Sequence, residues 1–240
     1  MKTSGVKRQI FAMGGGGFSM EPENPLLDDY LLNQVNQSEP KIAFIATASA
    51  NSPEYIGRFY DSFKSKNCVP SHLCLTHKNT LALEAYIFKQ DVIYVGGGNT
   101  KDMLILWKKW GLDAILKEAY HQGILLSGLS AGAICWFEEG LTDSLPKALS
   151  RLEGLGILQG SNCPHFDGEP LRQEVYKAKI ASGEMKPGIA CDDGVGLHYV
   201  NEELIRVVSS RSNAQAYSFH KYGDEFQEKI LKPNQLSLVF

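Results

Sequence analysis

Long apolar runs are missing from this 240-residue chain. No stretch approaches the roughly 18 apolar residues that a membrane-spanning helix needs, and the amino-terminal MKTSGVKRQIFAMGGGG has too short an apolar run for a secretory leader. Cysteine is sparse and unpaired in spacing: Cys68, Cys74, Cys135, Cys163 and Cys191 are an odd set, which leaves one outside any disulfide scheme and fits a reducing compartment. A cytoplasmic location is the expectation. Neither sign of charge dominates, since a net charge of -3 and a pI near 6.1 give no basic footprint for nucleic acid. The most basic segment, Lys101 to Lys109, interleaves its lysines with Met103, Leu104, Leu106 and Trp107, as the solvated face of an amphipathic helix does. There is no His-Glu-x-x-His, no Cys-x-x-Cys pair and no dense carboxylate cluster, so neither metal nor cofactor is expected. Internal repeats, low-complexity tracts and linker-like stretches are also lacking, which reads as one domain over residues 1–240.

What is there is an alternation. Strand-length runs rich in β-branched residues recur at Gln9–Met13, Lys41–Thr47, Val69–Leu75, Asp91–Val95 and Ile124–Leu129. Amphipathic helical segments lie between them at Pro25–Asn36, Pro53–Lys66, Leu81–Lys89 and Met103–Gln122. This predicts βαβ units, a mostly parallel central sheet and helices on both faces, in an α/β three-layer sandwich. Beyond Gly154 a helix over Pro170–Ser182 and short strands at Ile189–Cys191, Val195–Val200, Leu204–Ser209 and Ala216–Tyr222 predict an antiparallel or mixed extension of the same sheet.

The strongest chemical signal is Gly128-Leu129-Ser130-Ala131-Gly132, where an apolar strand runs into a helix-forming segment. Side chains at the two glycine positions would collide with backbone in so sharp a turn, and the central serine is pushed outward as a nucleophile. The N–H of Ala131 then points at the same space. The competing reading is a helix N-cap serine. Gly96-Gly97-Gly98-Asn99-Thr100 also ends a strand. It lacks phosphate-loop spacing and can offer an oxyanion N–H from Gly97 or Gly98, or be a tight turn. Gly14 to Gly17 lines the site or forms a flexible loop.

An activated serine needs a base, and His72, His77, His121, His165, His198 and His220 are available. His165 stands out because Ser161-Asn-Cys-Pro-His-Phe-Asp-Gly168 is a run of turn formers after an apolar segment. Asp192 and Asp193, closing a strand before Gly194, are candidate orienting acids, with Asp143 as competitor; turn chemistry accounts for all three equally.

Met13-Gly-Gly-Gly-Gly-Phe18, Val95-Gly-Gly-Gly-Asn-Thr100, Gly128-Leu-Ser-Ala-Gly-Ala133 and Asn162-Cys-Pro-His-Phe166, in that order, resemble the peptidase E family, which includes the cyanophycinases. The resemblance implies a class I glutamine amidotransferase-like fold and a serine peptidase that cleaves peptide or isopeptide bonds after aspartyl residues in small peptides. It implies Ser130 and His165 as nucleophile and base, Gly98 and Ala131 as the oxyanion pair, and Arg172 as receptor for an acidic side chain, with Asn99 and Thr100 beside the substrate. It also implies an acid at Asp143 or Asp193; chain order favours Asp193. A homodimer is compatible, with Trp107, Trp110 and Trp136 as interface candidates against burial in the core. The rivals are a catalytically silent protein holding a small acidic metabolite, and an amidase or esterase acting outside peptides.

Overall fold

The computed structural model describes residues 5–75, 80–145, 148–223 and 225–238; His77 lies outside them. The first half alternates as predicted: β1 (Gln9–Met13), α1 (Gly17–Met20), α2 (Leu26–Leu32), β2 (Lys41–Ile45), α3 (Pro53–Phe63), β3 (Val69–Leu73), α4 (Thr80–Ile87), β4 (Val92–Val95), α5 (Thr100–Trp110), α6 (Leu112–His121) and β5 (Leu125–Leu129). There follow α7 (Ala131–Ile134), β6 (Phe137–Thr142), β7 (Ser150–Glu153), β8 (Leu158–Cys163), α8 (Arg172–Ser182), β9 (Gly188–Cys191), β10 (Val195–Val200), β11 (Glu203–Ser209), β12 (Ala216–Tyr222), β13 (Glu225–Leu231) and β14 (Asn234–Gln235).

Strands order as β14-β11-β10-β1-β5-β4-β2-β3 in the main sheet, and β1 to β5 run parallel to one another in it. Successive side chains of a strand face opposite ways, so each buried strand feeds two cores. Ile10, Ala12, Ala43, Ile45, Ile93 and Val95 join a core with Leu83, Met103, Trp107, Ile115 and Leu116 of α4, α5 and α6. Phe11, Met13, Phe44, Val92, Tyr94 and Leu125 face Phe18, Leu27, Leu31, Tyr55, Phe59 and Phe63 of α1, α2 and α3. The three layers follow directly from that alternation.

Three departures have physical causes. The single helix expected over Met103–Gln122 is two, because Gly111 adopts φ 76°, a left-handed conformation that caps α5 and opens α6. The carboxy-terminal strands divide: β10 and β11 extend the main sheet antiparallel, whereas β9 and β12 belong to a second sheet of order β13-β12-β9-β8-β6-β7. Strands β6, β7, β8, β13 and β14 were not anticipated. Segments such as LQGSNC and EFQEKIL are too polar to signal strand; β8 becomes one by pairing with β6 and β9, more than twenty residues away on either side, and β13 by folding back on β12 in a hairpin. Trp107 and Trp136 are fully buried with ring centroids 6.4 Å apart, which removes both from any interface, and Trp110 is half-buried against the same core.

One charged group sits inside the aromatic core. Asp28 is fully buried, accepts the Phe18 N–H at 2.7 Å and has its pKa pushed up to about 7, chiefly by burial, against the opposing pull of Lys66 and the Phe18 N–H. A raised carboxyl pKa means that the folded state holds the proton more tightly, so the associated stability is present below pH 3.8 and lost as pH rises through about 7. Asp28→Asn, nearly isosteric and never charged, is expected to abolish that loss, worth at most roughly 4 kcal/mol. Denaturant unfolding of both proteins at pH 4 and pH 8 reads it out; parallel pH dependences would contradict it.

Candidate active site

The carboxyl end of β1 organises this region. Met13 O accepts the N–H of Ser130 at 3.3 Å, and Gly14 O accepts the N–H of His165 at 3.2 Å. The backbones of Ser130 and His165 are thus both anchored to the end of the same strand, through successive carbonyls. The glycines of the following loop are buried. A Cβ on Gly14 would overlap the Asp192 carbonyl, and one on Gly15 would overlap the Asp193 carboxylate. The loop is therefore a close-packed seat against the segment after β9, not a flexible connection.

Ser130 joins β5 to α7 with φ 55° and ψ -116°, a conformation that costs a non-glycine residue about 1–3 kcal/mol. Its side chain makes no capping hydrogen bond, which removes the N-cap reading. The flanking glycines are steric necessities: a Cβ on Gly128 would lie 2.5 Å from the Gly132 carbonyl oxygen and 2.6 Å from that of Val95, and one on Gly132 would overlap the same Val95 oxygen. β5 and β4 are parallel neighbours, so this elbow stands beside the Gly96–Gly98 loop, where a Cβ on Gly97 would come 3.7 Å from Ser130 Oγ. Gly98, at φ 135° and pressed on the Ala48 carbonyl, finds no acceptor for its N–H among the described residues. Ala131, first in α7, has no intrahelical partner for its own N–H.

His165 is buried, takes φ 53°, and its Nδ1 lies 2.6 Å from Asp193 Oδ1. Burial pushes the Asp193 carboxyl up, but the hydrogen bond and charge of His165, helped by Arg211 and Arg172, outweigh it and hold the pKa below the ordinary value. The Asp193 N–H donates to Asp167 Oδ1 at 2.8 Å, which fixes the turn. Asp192 faces elsewhere: its Oδ2 accepts the Gln215 N–H at 2.8 Å, and burial together with the charges of Asp167 and Asp193 pushes its pKa up to about 6, against the Gln215 bond. Nε2 of His165 has no hydrogen-bond partner among the described residues, and no hydrogen bond joins it to Ser130. Such bonds are often long without substrate.

Of the remaining histidines described, His198 is locked between Tyr30 and Gln9, His72 bonds Tyr60, and His121 and His220 are exposed.

Ser130 opens into a cavity of about 350 Å³ lined by Gly98, Asn99, Asp143, Ser144, Glu169 and Arg172. Asp143 is exposed on this wall and is not the acid against His165. Thr100 lies behind the wall: it is 1% exposed, its N–H donates to Ser144 Oγ at 2.8 Å, and it cannot touch substrate as expected. Asn99 uses its side-chain oxygen to cap α5. Arg172 is 2% exposed, with Nε on Glu169 at 2.6 Å and Nη1 on the Leu141 carbonyl at 3.1 Å. The sequence reading missed Asp167, Ser144 and Glu169. Only the i,i+3 spacing of Glu169 and Arg172 signals a contact in advance. A larger hollow of about 630 Å³ lies at the amino ends of β1, β4 and β5, lined by amide side chains such as Gln9, Asn33, Gln90 and Gln122. It holds no nucleophile, and open α/β sheets bind ligands at the other end.

Residues 10–207 match the model of Peptidase family S51. The chain is 54% identical over 210 residues to the uncharacterized peptidase YgaJ of Bacillus subtilis, covering 88% of this chain and 91% of that protein. It is 27% identical over 161 residues to the uncharacterized peptidase Lmo0363 of Listeria monocytogenes, covering 64% and 77%. Among solved structures, a peptidase from an acI-B1 Actinobacterium superposes with a TM-score of 0.74 at 16% identity, covering 99% of both chains. A candidate peptidase E protein from Listeria monocytogenes EGD-e gives 0.63 at 19% identity, covering 86% of this chain and all of that one. At these identities the structures establish a shared fold.

The depressed pKa of Asp193 carries a stability consequence of opposite sign to that of Asp28. The contribution is present above the ordinary carboxyl value of 3.8 and is lost as pH falls through the folded value. Asp193→Asn is expected to melt at a lower temperature than wild type at pH 7 and to converge with it once the pH falls below the folded carboxyl value. Thermal scans across that range check this; an equal deficit at both extremes would show that the charge contributes nothing.

Proposed function

This chain belongs to peptidase family S51 and is a serine-type peptidase, and from that premise we propose that Ser130 is the nucleophile, His165 its base and Asp193 the orienting acid. The observation that carries the assignment is the strained, uncapped Ser130 pinned beside a His165–Asp193 pair on adjacent carbonyls of β1. Asp193 fixes the tautomer by accepting from Nδ1, which leaves Nε2 to take the Ser130 proton. Ser130 Oγ attacks the carbonyl carbon, and the N–H groups of Gly98 and Ala131 receive the developing oxyanion, each worth about 3 kcal/mol of barrier. His165 then protonates the leaving amine, and water hydrolyses the acyl-enzyme.

A cavity of about 350 Å³ suits one or two residues of a small peptide, such as a dipeptide. Arg172 is the guanidinium on its wall and supports an aspartyl residue on the acyl side, with Glu169, the Leu141 carbonyl and Cys163 holding it in place. Glu169 and Asp143 line the same space and oppose a second negative charge there.

Hydrolysis of Asp-Xaa, β-aspartyl and matched Glu-Xaa and Asn-Xaa dipeptides by wild type, Ser130→Ala and Asp193→Asn tests the assignment. Turnover of Asp substrates is expected to vanish in Ser130→Ala and to fall ~10²–10⁴-fold in Asp193→Asn. Turnover unchanged in Ser130→Ala would overturn it. Removing the competing charge with Glu169→Gln is expected to raise kcat/KM for Asp over Asn substrates by about tenfold; an unchanged ratio would detach Arg172 from selection of the acidic side chain.

A further inference from the structure

Three consecutive glycines are a poor material for an oxyanion hole. With no Cβ at 96, 97 or 98, the peptide planes of Gly96–Gly97 and Gly97–Gly98 can rotate at small cost, and a donor that turns away stabilises nothing. Something outside the loop must hold it.

Three clamps are visible, and the first is the Gly96 N–H, which donates to the Ile45 carbonyl at 3.1 Å. Downstream, the Asn99 N–H donates to the Ala48 carbonyl at 2.7 Å. Upstream, the Gly97 N–H donates to the hydroxyl of Tyr55 on α3 at 3.3 Å. The Tyr55 ring is buried and presses the same segment: a Cβ on Gly96 would meet Tyr55 Cε1 at 2.9 Å. The hydroxyl is itself fixed by Ser19 Oγ at 2.7 Å, and burial holds the phenol neutral by pushing its pKa up, against the opposing Ser19 and Gly97 bonds. Between the clamps the Gly98 N–H has no partner among the described residues, and Gly98 lines the same cavity as Ser130.

We propose that Tyr55 is a positioning residue for catalysis, its hydroxyl holding the Gly96–Gly97 peptide and so limiting rotation of the next one, whose Gly98 N–H is presented to the reacting carbonyl. This rests on Gly98 as an oxyanion donor and Ser130 as nucleophile. Tyr55 touches no substrate and acts through the loop. Its contribution separates into ring packing, which phenylalanine keeps, and the hydroxyl contact, which phenylalanine loses.

The test compares the full-length wild type, Tyr55→Phe and Ser130→Ala for the rate of labelling by a fluorophosphonate, whose transition state also places negative charge on an oxygen in the hole. Peptide kinetics on any substrate turned over accompany it. Tyr55→Phe is expected to be labelled about tenfold more slowly and to lose kcat by a similar factor with KM within about twofold. In wild type, hydrogen exchange of the Gly97 amide is expected to be slower than that of an open loop amide, a measurement independent of how well the variant folds. Labelling and kcat equal to wild type in Tyr55→Phe, or an unprotected Gly97 amide, would overturn the proposal. Wild type that is not labelled at Ser130 would overturn the underlying nucleophile assignment instead, and the role of Tyr55 with it.

Discussion

The site depends on two carbonyl groups at the end of one strand. Met13 and Gly14 close β1, which is flanked by parallel β5 and antiparallel β10, and their oxygens hold the backbones of Ser130 and His165. Ser130 arrives by way of β5, and His165 from β8 of the other sheet. Without that shared anchor the two residues would belong to separately packed sheets, and a small shift between the sheets would separate them. The tight contacts of Gly14 and Gly15 with Asp192 and Asp193 bring the acid to the same point. Ser130, His165 and Asp193 are therefore brought to one region through backbone packing around β1, with the His165–Asp193 hydrogen bond completing the arrangement.

Strain and electrostatics are concentrated at that convergence. Ser130 and His165 both occupy positive φ, and neither is glycine. Such conformations persist only where surroundings over-determine them, and here the Gly128, Gly132 and Gly14 contacts leave no room for relaxation. Neighbouring carboxylates behave differently for the same reason. Asp193 finds an imidazole and two arginine charges and is held ionised, whereas Asp192, one residue earlier and comparably buried, finds a single backbone N–H and like charges, so its pKa rises.

Much of the fold was legible because its signals are local. The inner strands of the parallel sheet, β1, β2, β4 and β5, are buried on both faces and the helices between them are amphipathic, so β1 to β5 were placed within a few residues. Gly128-Leu-Ser-Ala-Gly132 announced its turn because two missing side chains are a chemical statement readable in one dimension. The second sheet was illegible for the converse reason: β8 carries a polar sequence whose strand character comes from β6 and β9 elsewhere in the chain, and β13 is a polar edge strand whose exposed face gives no apolar pattern.

By itself the sequence determined that Ser130 must turn sharply, that glycines must surround it, and that the chain builds a parallel sheet to present it, because each of these follows from sterics and periodicity within a dozen residues. Only the tertiary structure decided which acid meets His165, that Thr100 lies behind the cavity wall, that Arg172 arrives already paired with Glu169, and that Tyr55 reaches across 42 residues to the Gly97 amide. Those outcomes turn on where side chains meet after distant strands have paired, and a spacing along the chain carries no information about that distance in space.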